Sequence, residues 1–392
     1  MALTKKITVN LVNRDYPPYR GITGESAAEL ASYLLHSGVE VNIIHIDSSY
    51  FGKNEAIPVG NIFKVKSLYD GESKIRRLFA NFIAGFLLIK KSKSIACDAT
   101  IVMTDPSLLN LWASLLLKKK KWLLWSMDLY PEAFAAWGLI SERNVLYKLF
   151  YKLTVKNPPQ SVIALGPLQT DFIKKRYSNQ SINYFHLPCG IFKIQSAVSD
   201  IPSWATDRTK TYLGYIGNLG APHSLDFLYA IVDRLDTVKF KFVVSVYGYG
   251  KKTQALKQYI DGKEGVEVIP PVKREHLKYI DIHLASLLPQ GTHISVPSKT
   301  VSSVCAGSAF LYYGKEESDN WCLLKEAGWL IPTELDVVEG VADFFQKFDL
   351  QKLREKKESA LKLADKLNRE KIETFKEISE EVKSEMSSPA MC

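Results

Sequence analysis

Residues 293–314, HISVPSKTVSSVCAGSAFLYYG, set Ser298 and Lys299 at a Pro-Ser-Lys turn that opens a short helix of small residues. A serine hydroxyl at a helix N-cap, a lysine ammonium and the free N–H groups of a first helical turn together suit an anion such as a phosphate. The plainer reading of that motif is a solvated lysine beside an ordinary helix cap. Two glycine turns precede it: Gly217, Asn218 and Gly220 close TYLGYIGNLG, and Gly248 and Gly250 close FKFVVSVYGYG. Both turns should line the carboxyl edge of one sheet, where phosphate could lie between them. GYGKKT lacks the four-residue spacer of a P-loop, which excludes an NTPase of that kind.

Two further places could do chemistry. Asp128 in LLWSMDLYPEAF emerges at the C-terminal end of a buried strand, the edge at which open α/β sheets hold ligands, although an aspartate there can also cap a turn. NRDYPPYRGITGES lies between a strand and a helix, where Gly21, Gly24 and Glu25 form a loop that suits an anion or serves only as a βα turn. Asp47 closes the next strand, where a dinucleotide fold would hold a ribose. The glycines are not spaced G-x-G-x-x-G, and an excursion through Pro17 and Pro18 delays Gly21.

Other chemistry is mostly excluded. The seven histidines show no H-x-x-x-H or H-x-H spacing, and there is no D-x-D pair and no G-x-S-x-G elbow. Five cysteines without a C-x-x-C pair suggest neither a disulfide framework nor a zinc ribbon and fit a reducing cytoplasm. The net charge of +9 favours anionic partners. Lys118–Lys121 reads as a solvated helix end, with no aromatic-basic motif to suggest nucleic acid. The N-terminal apolar run is too brief for a signal peptide, and LFANFIAGFLLI falls well short of the roughly twenty residues of a spanning helix. Residues 73–93, SKIRRLFANFIAGFLLIKKSK, put bases at both ends of an apolar helix, a pattern suited to an anionic membrane surface or to a buried core helix.

The elements that must position these residues alternate. KITVNLV, VEVNIIHI, ATIVM, KWLLWSM and SVIAL read as strands separated by helical periods such as ESAAELASYLLHSG, with Pro106 suited to a first helical turn. Periodicity lapses over residues 193–210 and resumes with TYLGYIGNLG, SLDFLYAIVDRL and FKFVVSVYGYG; VEVIPP, IHLASLL, AFLYYG and GWLIP continue the strands. This predicts two α/β domains, 1–192 and 211–392, joined by a linker, the second ending in a charged amphipathic helix over 351–384.

Taken in order, the YPP…G loop with AAELASYLLHSGVEV, then DLYP, VIALGPLQTDFI, LPCGI, YIGNLG, VYGYG and VPSKTVSSVCAG, the chain resembles the bacterial GT-B glycosyltransferases of family 4. The likeness spans nearly the whole chain and is strongest to members that build lipid-linked surface polysaccharides. It implies two Rossmann-like, doubly wound domains facing a cleft, with the acceptor bound by the first and a nucleotide-diphosphate sugar by the second. It further implies retention of anomeric configuration, no metal or other cofactor, and a cytoplasmic protein peripheral to the inner face of a membrane. By the same resemblance, Asp128 and Lys299 are the catalytic residues. Gly217, Asn218, Gly220, Gly248, Gly250, Ser298, Lys299 and Ser302 hold the donor, and Gly21, Gly24 and Glu25 form the phosphate or acceptor loop.

Three departures stand out. Met127 replaces a histidine common before the aspartate. Ala221, Pro222 and His223 follow the GNLG turn where members carry a base, leaving Lys299 to work alone. Ser302 stands where the family places a ribose-binding glutamate. That last change motivates a second reading, a catalytically degenerate GT-B-like binding subunit. An NAD-dependent oxidoreductase is the third.

Overall fold

A computed structural model describes residues 6–19, 21–47, 57–69, 73–178, 180–193, 200–247 and 250–384. Gly248 and residues 194–199 of the expected linker lie outside them. The chain forms two compact units, Met1–Cys189 with Lys371–Cys392, and Gly190–Glu370.

The first unit contains β1 (Thr8–Val12), α1 (Ile22–His36), β2 (Glu40–Asp47), β3 (Asn61–Lys66), α2 (Lys74–Lys93), β4 (Ala99–Met103), α3 (Leu109–Leu116), β5 (Trp122–Trp125), α4 (Glu132–Ala136), α5 (Val145–Val155), β6 (Ser161–Ala164), α6 (Pro167–Arg176) and β7 (Asn183–His186). Its seven strands pair in parallel in the order β3-β2-β1-β4-β5-β6-β7. Val9, Leu11, Ile43, Ile44, Ile101 and Val102 are fully buried, as strands covered on both faces require.

The edge strands β3 and β7 were not anticipated, because a half-exposed edge carries no continuous apolar run. Polar contacts fix β3 instead. Asn61 donates to Asn42 at 3.1 Å and Asn42 to Asn10 at 2.9 Å, a ladder that follows the strand register.

The second unit contains β8 (Thr211–Asn218), α7 (Leu225–Asp233), β9 (Phe240–Tyr247), α8 (Lys251–Ile260), β10 (Val266–Val268), β11 (Ile282–Ser286), α9 (Ser298–Cys305), β12 (Ala309–Gly314), α10 (Asp319–Leu324), β13 (Gly328–Pro332) and α11 (Val337–Gln346). Its six parallel strands run β10-β9-β8-β11-β12-β13. Part of the expected linker belongs to this unit's core, since Trp204 is buried against Tyr212 and Ile280.

The final helix, α12 (Leu350–Lys383), departs from the sequence reading, which gave all of it to the second domain. Its last turns pack with the first unit. Lys121 is the reason: its ammonium caps that helix end, donating to the Glu381 carbonyl, to Ser384 O at 2.9 Å and to Ser384 Oγ at 2.7 Å. The fourth lysine of the 118–121 run is therefore buried, not solvated.

Smaller differences concern helix starts. α1 begins three residues before ESAAEL, so Gly24 lies in its first turn; an added Cβ there would come within 2.7 Å of Asp15 O. Pro106 precedes α3 by three residues instead of opening it, with Leu109 N–H returning to the Pro106 carbonyl at 3.0 Å.

α2 is a core helix along most of its length. Ala84, Leu88 and Ile89 are buried, and Lys90 and Lys91 fold over the rings of Phe86 and Phe63. From Ala80 onward its apolar body is largely covered by the protein, while Leu78 and Phe79 at its start stay exposed. Among the described residues no helix is long and apolar enough to cross one.

Candidate functional site

In both sheets the strand order reverses once, between β1 and β4 in the first unit and between β8 and β11 in the second. Loops leaving the carboxyl ends of the strands diverge at such a point and open a crevice for a ligand. Among the described residues, those singled out after β1, β8 and β11 leave their strands at these two places.

In the second unit β8 runs into the GNLG turn, where Gly217 adopts φ +112° and would bring a Cβ within 3.4 Å of the Lys299 side chain. Lys299 extends from the first turn of α9 and donates to Asn218 O at 2.9 Å. It also lies 2.9 Å from His223 Nε2 and 5.3 Å from the centre of the Tyr215 ring. His223 Nδ1 lies 2.6 Å from Ser286 O at the end of β11; a carbonyl only accepts, so Nδ1 carries the proton and Nε2 receives the Lys299 N–H. Burial, then the neighbouring Lys299, holds this imidazole well below its ordinary pKa, which keeps it neutral.

Lys299 therefore does not stand alone. Lys252, at the start of α8, donates to Ala221 O at 3.1 Å and to the His223 carbonyl. Two ammonium groups converge on residues 218–223, and their partners are neutral carbonyls and an imidazole. Burial pushes Lys299 down to about 7 and lowers Lys252 as well. Lys299, out of water with no carboxylate partner, is relieved by an anion, whereas near Lys252 the Asp226 carboxylate opposes the shift. The sequence reading missed both residues, although KK followed the Gly250 turn in plain view and His223 occupied the position of an expected base.

The remaining donor-side residues are distributed as follows. Gly250 precedes α8 and faces open space, so a ligand could approach its backbone. Gly220 continues the turn toward Pro222. Ser298 is already helical, and no side-chain hydrogen bond caps α9, which corrects the N-cap role expected for it; Pro297 occupies the cap. Ser302 donates to Gly190 O at 3.2 Å. Gly190 has φ +94°, and a Cβ there would fall 2.8 Å from Ser302 Oγ, so this glycine presses directly against α9.

In the first unit the reversal brings together the loops after β1 and β4, with Arg14 N–H donating to Asp105 O at 2.8 Å. Asp15 is buried there. Burial raises its carboxyl to about 7, the nearby Asp105 adds to the shift and Arg14 opposes it. Asp105 is itself raised by burial. Neither aspartate was singled out in the sequence. Gly21 packs on the Asp15 carboxyl, an added Cβ lying 3.0 Å from Oδ2, and Glu25 N–H returns to Gly21 O in the first turn of α1. Asp47, the acid a dinucleotide site would need, accepts from the Tyr19 hydroxyl and from Lys64 at 3.2 Å.

Asp128 follows β5, and side chains from three other elements clamp its segment. Thr104 Oγ1 accepts from Met127 N at 2.9 Å and Asp128 N at 3.1 Å. Gln169 donates to Met127 O at 3.3 Å; Asn110 and Arg176 donate to Tyr130 O at 3.0 and 2.8 Å. Asp128 is thus presented on a backbone held at four points. Thr104→Val keeps the shape of a buried residue and leaves two amides without an acceptor. It should destabilise the protein by about 1–3 kcal/mol and speed hydrogen exchange at Met127 and Asp128. Unchanged exchange at both amides would refute the clamp. Among the described residues, no group of three or more His, Cys, Asp or Glu side chains is placed to hold a metal ion.

No family model matches the chain, and no curated protein matches it. Solved structures do. Sucrose-phosphate synthase from Thermosynechococcus elongatus aligns with a TM-score of 0.70 at 11% identity, over 95% of this chain and 98% of that one. WaaG, a glycosyltransferase of lipopolysaccharide biosynthesis, gives 0.66 at 14% over 96% and 100%. Anabaena HepE, solved with UDP-glucose, gives 0.65 at 14% over 95% and 100%. At such identities the likeness establishes the fold: this chain has the GT-B fold.

Proposed function

We propose that the protein is a glycosyltransferase that moves a sugar from a nucleotide-diphosphate donor to a glycan acceptor, in the manner of the retaining, metal-independent family 4 enzymes. The observation that carries this reading is Lys299, a half-buried ammonium at the strand reversal of the second unit whose partners are all neutral. HepE with its UDP-glucose, and the pneumococcal transferase GtfA with UDP and GlcNAc, share the fold and lend support.

Cleaving a sugar–diphosphate bond builds negative charge on the departing phosphate. Lys299 would stabilise that charge, with Lys252 close to the same turn and the open backbone at Gly250 available to a phosphate oxygen. His223 is a positioning residue here: its lone pair holds one Lys299 N–H, which aims the others. In a retaining reaction on one face of the sugar, the leaving phosphate can take the proton of the attacking hydroxyl, so the protein need only orient the acceptor. Asp128 on its clamped segment suits that task. The acceptor is best read as a growing, lipid-linked glycan of surface polysaccharide assembly, met at the inner face of a membrane.

A catalytically silent binding subunit is the second reading. Ser302 favours it, because its hydroxyl is engaged by Gly190 O and offers a ribose no carboxylate.

Thermal unfolding with UDP, GDP, CDP and NAD tests the site. A ligand bound only by the folded state raises the melting temperature. At least one nucleoside diphosphate should do so and NAD should not. Stabilisation by NAD alone would end the glycosyltransferase reading.

A further inference from the structure

We infer that the outer face of α5, extended by the first turns of α2, docks on an anionic lipid surface. The inference rests on the proposed function only in supposing a membrane-borne acceptor; the surface is argued from its own residues.

α5 buries Tyr147 and Thr154 and turns large aliphatic residues outward. Val145 is 78% exposed, Leu146 54% and Leu149 46%, while Leu139 just before the helix is 62% exposed. Phe79, 67% exposed, belongs to the same side of the unit, because Phe82 one turn further along α2 meets the Phe150 ring of α5 at 6.1 Å. Large aliphatic residues grouped on one exposed helix face mark a contact site.

Its charge identifies the partner. Val145, Leu149, Lys152 and Lys156 share one helical face, flanked by Lys148 and Leu146. α5 contains no acidic residue, and Glu142 is the one carboxylate between Leu139 and Lys156. Among the described residues Arg143, Lys148, Lys152 and Lys156 form no ion pair. Aliphatic side chains interleaved with unpaired lysines suit a bilayer interface, where the former enter the acyl boundary and the ammonium groups meet phosphate headgroups. A twofold contact with a second copy would set the same lysines against each other.

Co-sedimentation decides. Wild-type protein should pellet with vesicles of phosphatidylcholine and phosphatidylglycerol, and roughly tenfold more weakly with phosphatidylcholine alone or at high salt. The triple variant Val145→Ser, Leu146→Ser, Leu149→Ser and the triple variant Lys148→Gln, Lys152→Gln, Lys156→Gln should each bind the anionic vesicles at least about tenfold more weakly. Lys90→Gln with Lys91→Gln, exposed lysines at the other end of α2 and outside the proposed face, should bind as wild type does. All six positions are exposed, and if the serine variant fails to fold, the glutamine variant carries the test. Wild-type protein that never pellets, or α5 variants that pellet undiminished, would overturn the inference. Sedimentation velocity without vesicles covers the rival occupant: a dimer that these variants abolish would assign the face to a second copy. Vesicle binding that persists without any nucleotide-induced stabilisation would defeat the proposed function and leave this inference standing.

Discussion

Lys299→Met should weaken nucleoside diphosphate binding about tenfold to a hundredfold near pH 6.5, the loss of one charge-assisted contact of roughly 1.5–3 kcal/mol. The effect should depend on pH in a direction the site dictates. Burial holds the ammonium at about 7, so the cation is present below that value and lost above it. Wild-type affinity should therefore fall as pH rises from 6 to 8, and binding at pH 8 should take up a proton, because the incoming anion favours the charged form. Lys299→Met should show neither behaviour. Stability should move the opposite way. Between about 7 and the ordinary lysine value of 10.5 the unfolded chain binds a proton that the folded chain does not, so this group's contribution to stability rises with pH across that window. Calorimetry in two buffers of different ionisation enthalpy measures the proton uptake. Equal affinity at pH 6 and 8, with no uptake, would mean that Lys299 does not meet the diphosphate.

The contrast between Lys299 and its neighbours separates what the sequence could reveal from what it could not. Pro-Ser-Lys after an apolar run is a local signal, and so are the GNLG turn and the DLYP segment. His223 becomes visible only when β8 and β11 are adjacent, because its partners Ser286 and Lys299 lie 63 and 76 residues further on. Asp15 and Asp105 meet for the same reason, at the reversal between β1 and β4. A strand order of this kind is not written in any one window of sequence. Helix faces pose a related difficulty. α2 and α5 both combine aliphatic residues with lysines, and the stronger apolar run, in α2, proves to be the one covered along most of its length. Periodicity reports that a helix has an apolar side but not whether anything packs against it. Ser298 fails through geometry, since α9 starts one residue earlier than its capping role needs.

Arg176→Met should be among the most destabilising substitutions in the first unit, by about 3–5 kcal/mol. Arg176 closes α6 with its side chain 1% exposed, and its Nη1 lies 3.3 Å from Glu132 Oε1, a carboxylate 6% exposed. Nη2 donates to Tyr130 O, and the guanidinium lies 5.6 Å and 5.7 Å from the ring centres of Tyr151 and Tyr177. Neither Glu132 oxygen has a hydrogen-bond partner, so the carboxylate is compensated by charge alone. Removing the arginine leaves a buried anion unpaired, whereas removing both charges leaves an apolar contact. Arg176→Met with Glu132→Met should therefore recover most of the loss, giving a coupling energy that separates the pair from simple packing. The same arginine fixes the carbonyl of Tyr130, two residues beyond Asp128. Hydrogen exchange around residues 127–130 should rise in Arg176→Met and stay partly elevated in the double variant, where Asn110 alone still holds that carbonyl. Urea unfolding of the two single variants and the double variant measures the cycle. A loss below about 1 kcal/mol for Arg176→Met, or a double variant no more stable than either single one, would show that this ion pair does not hold the segment that presents Asp128.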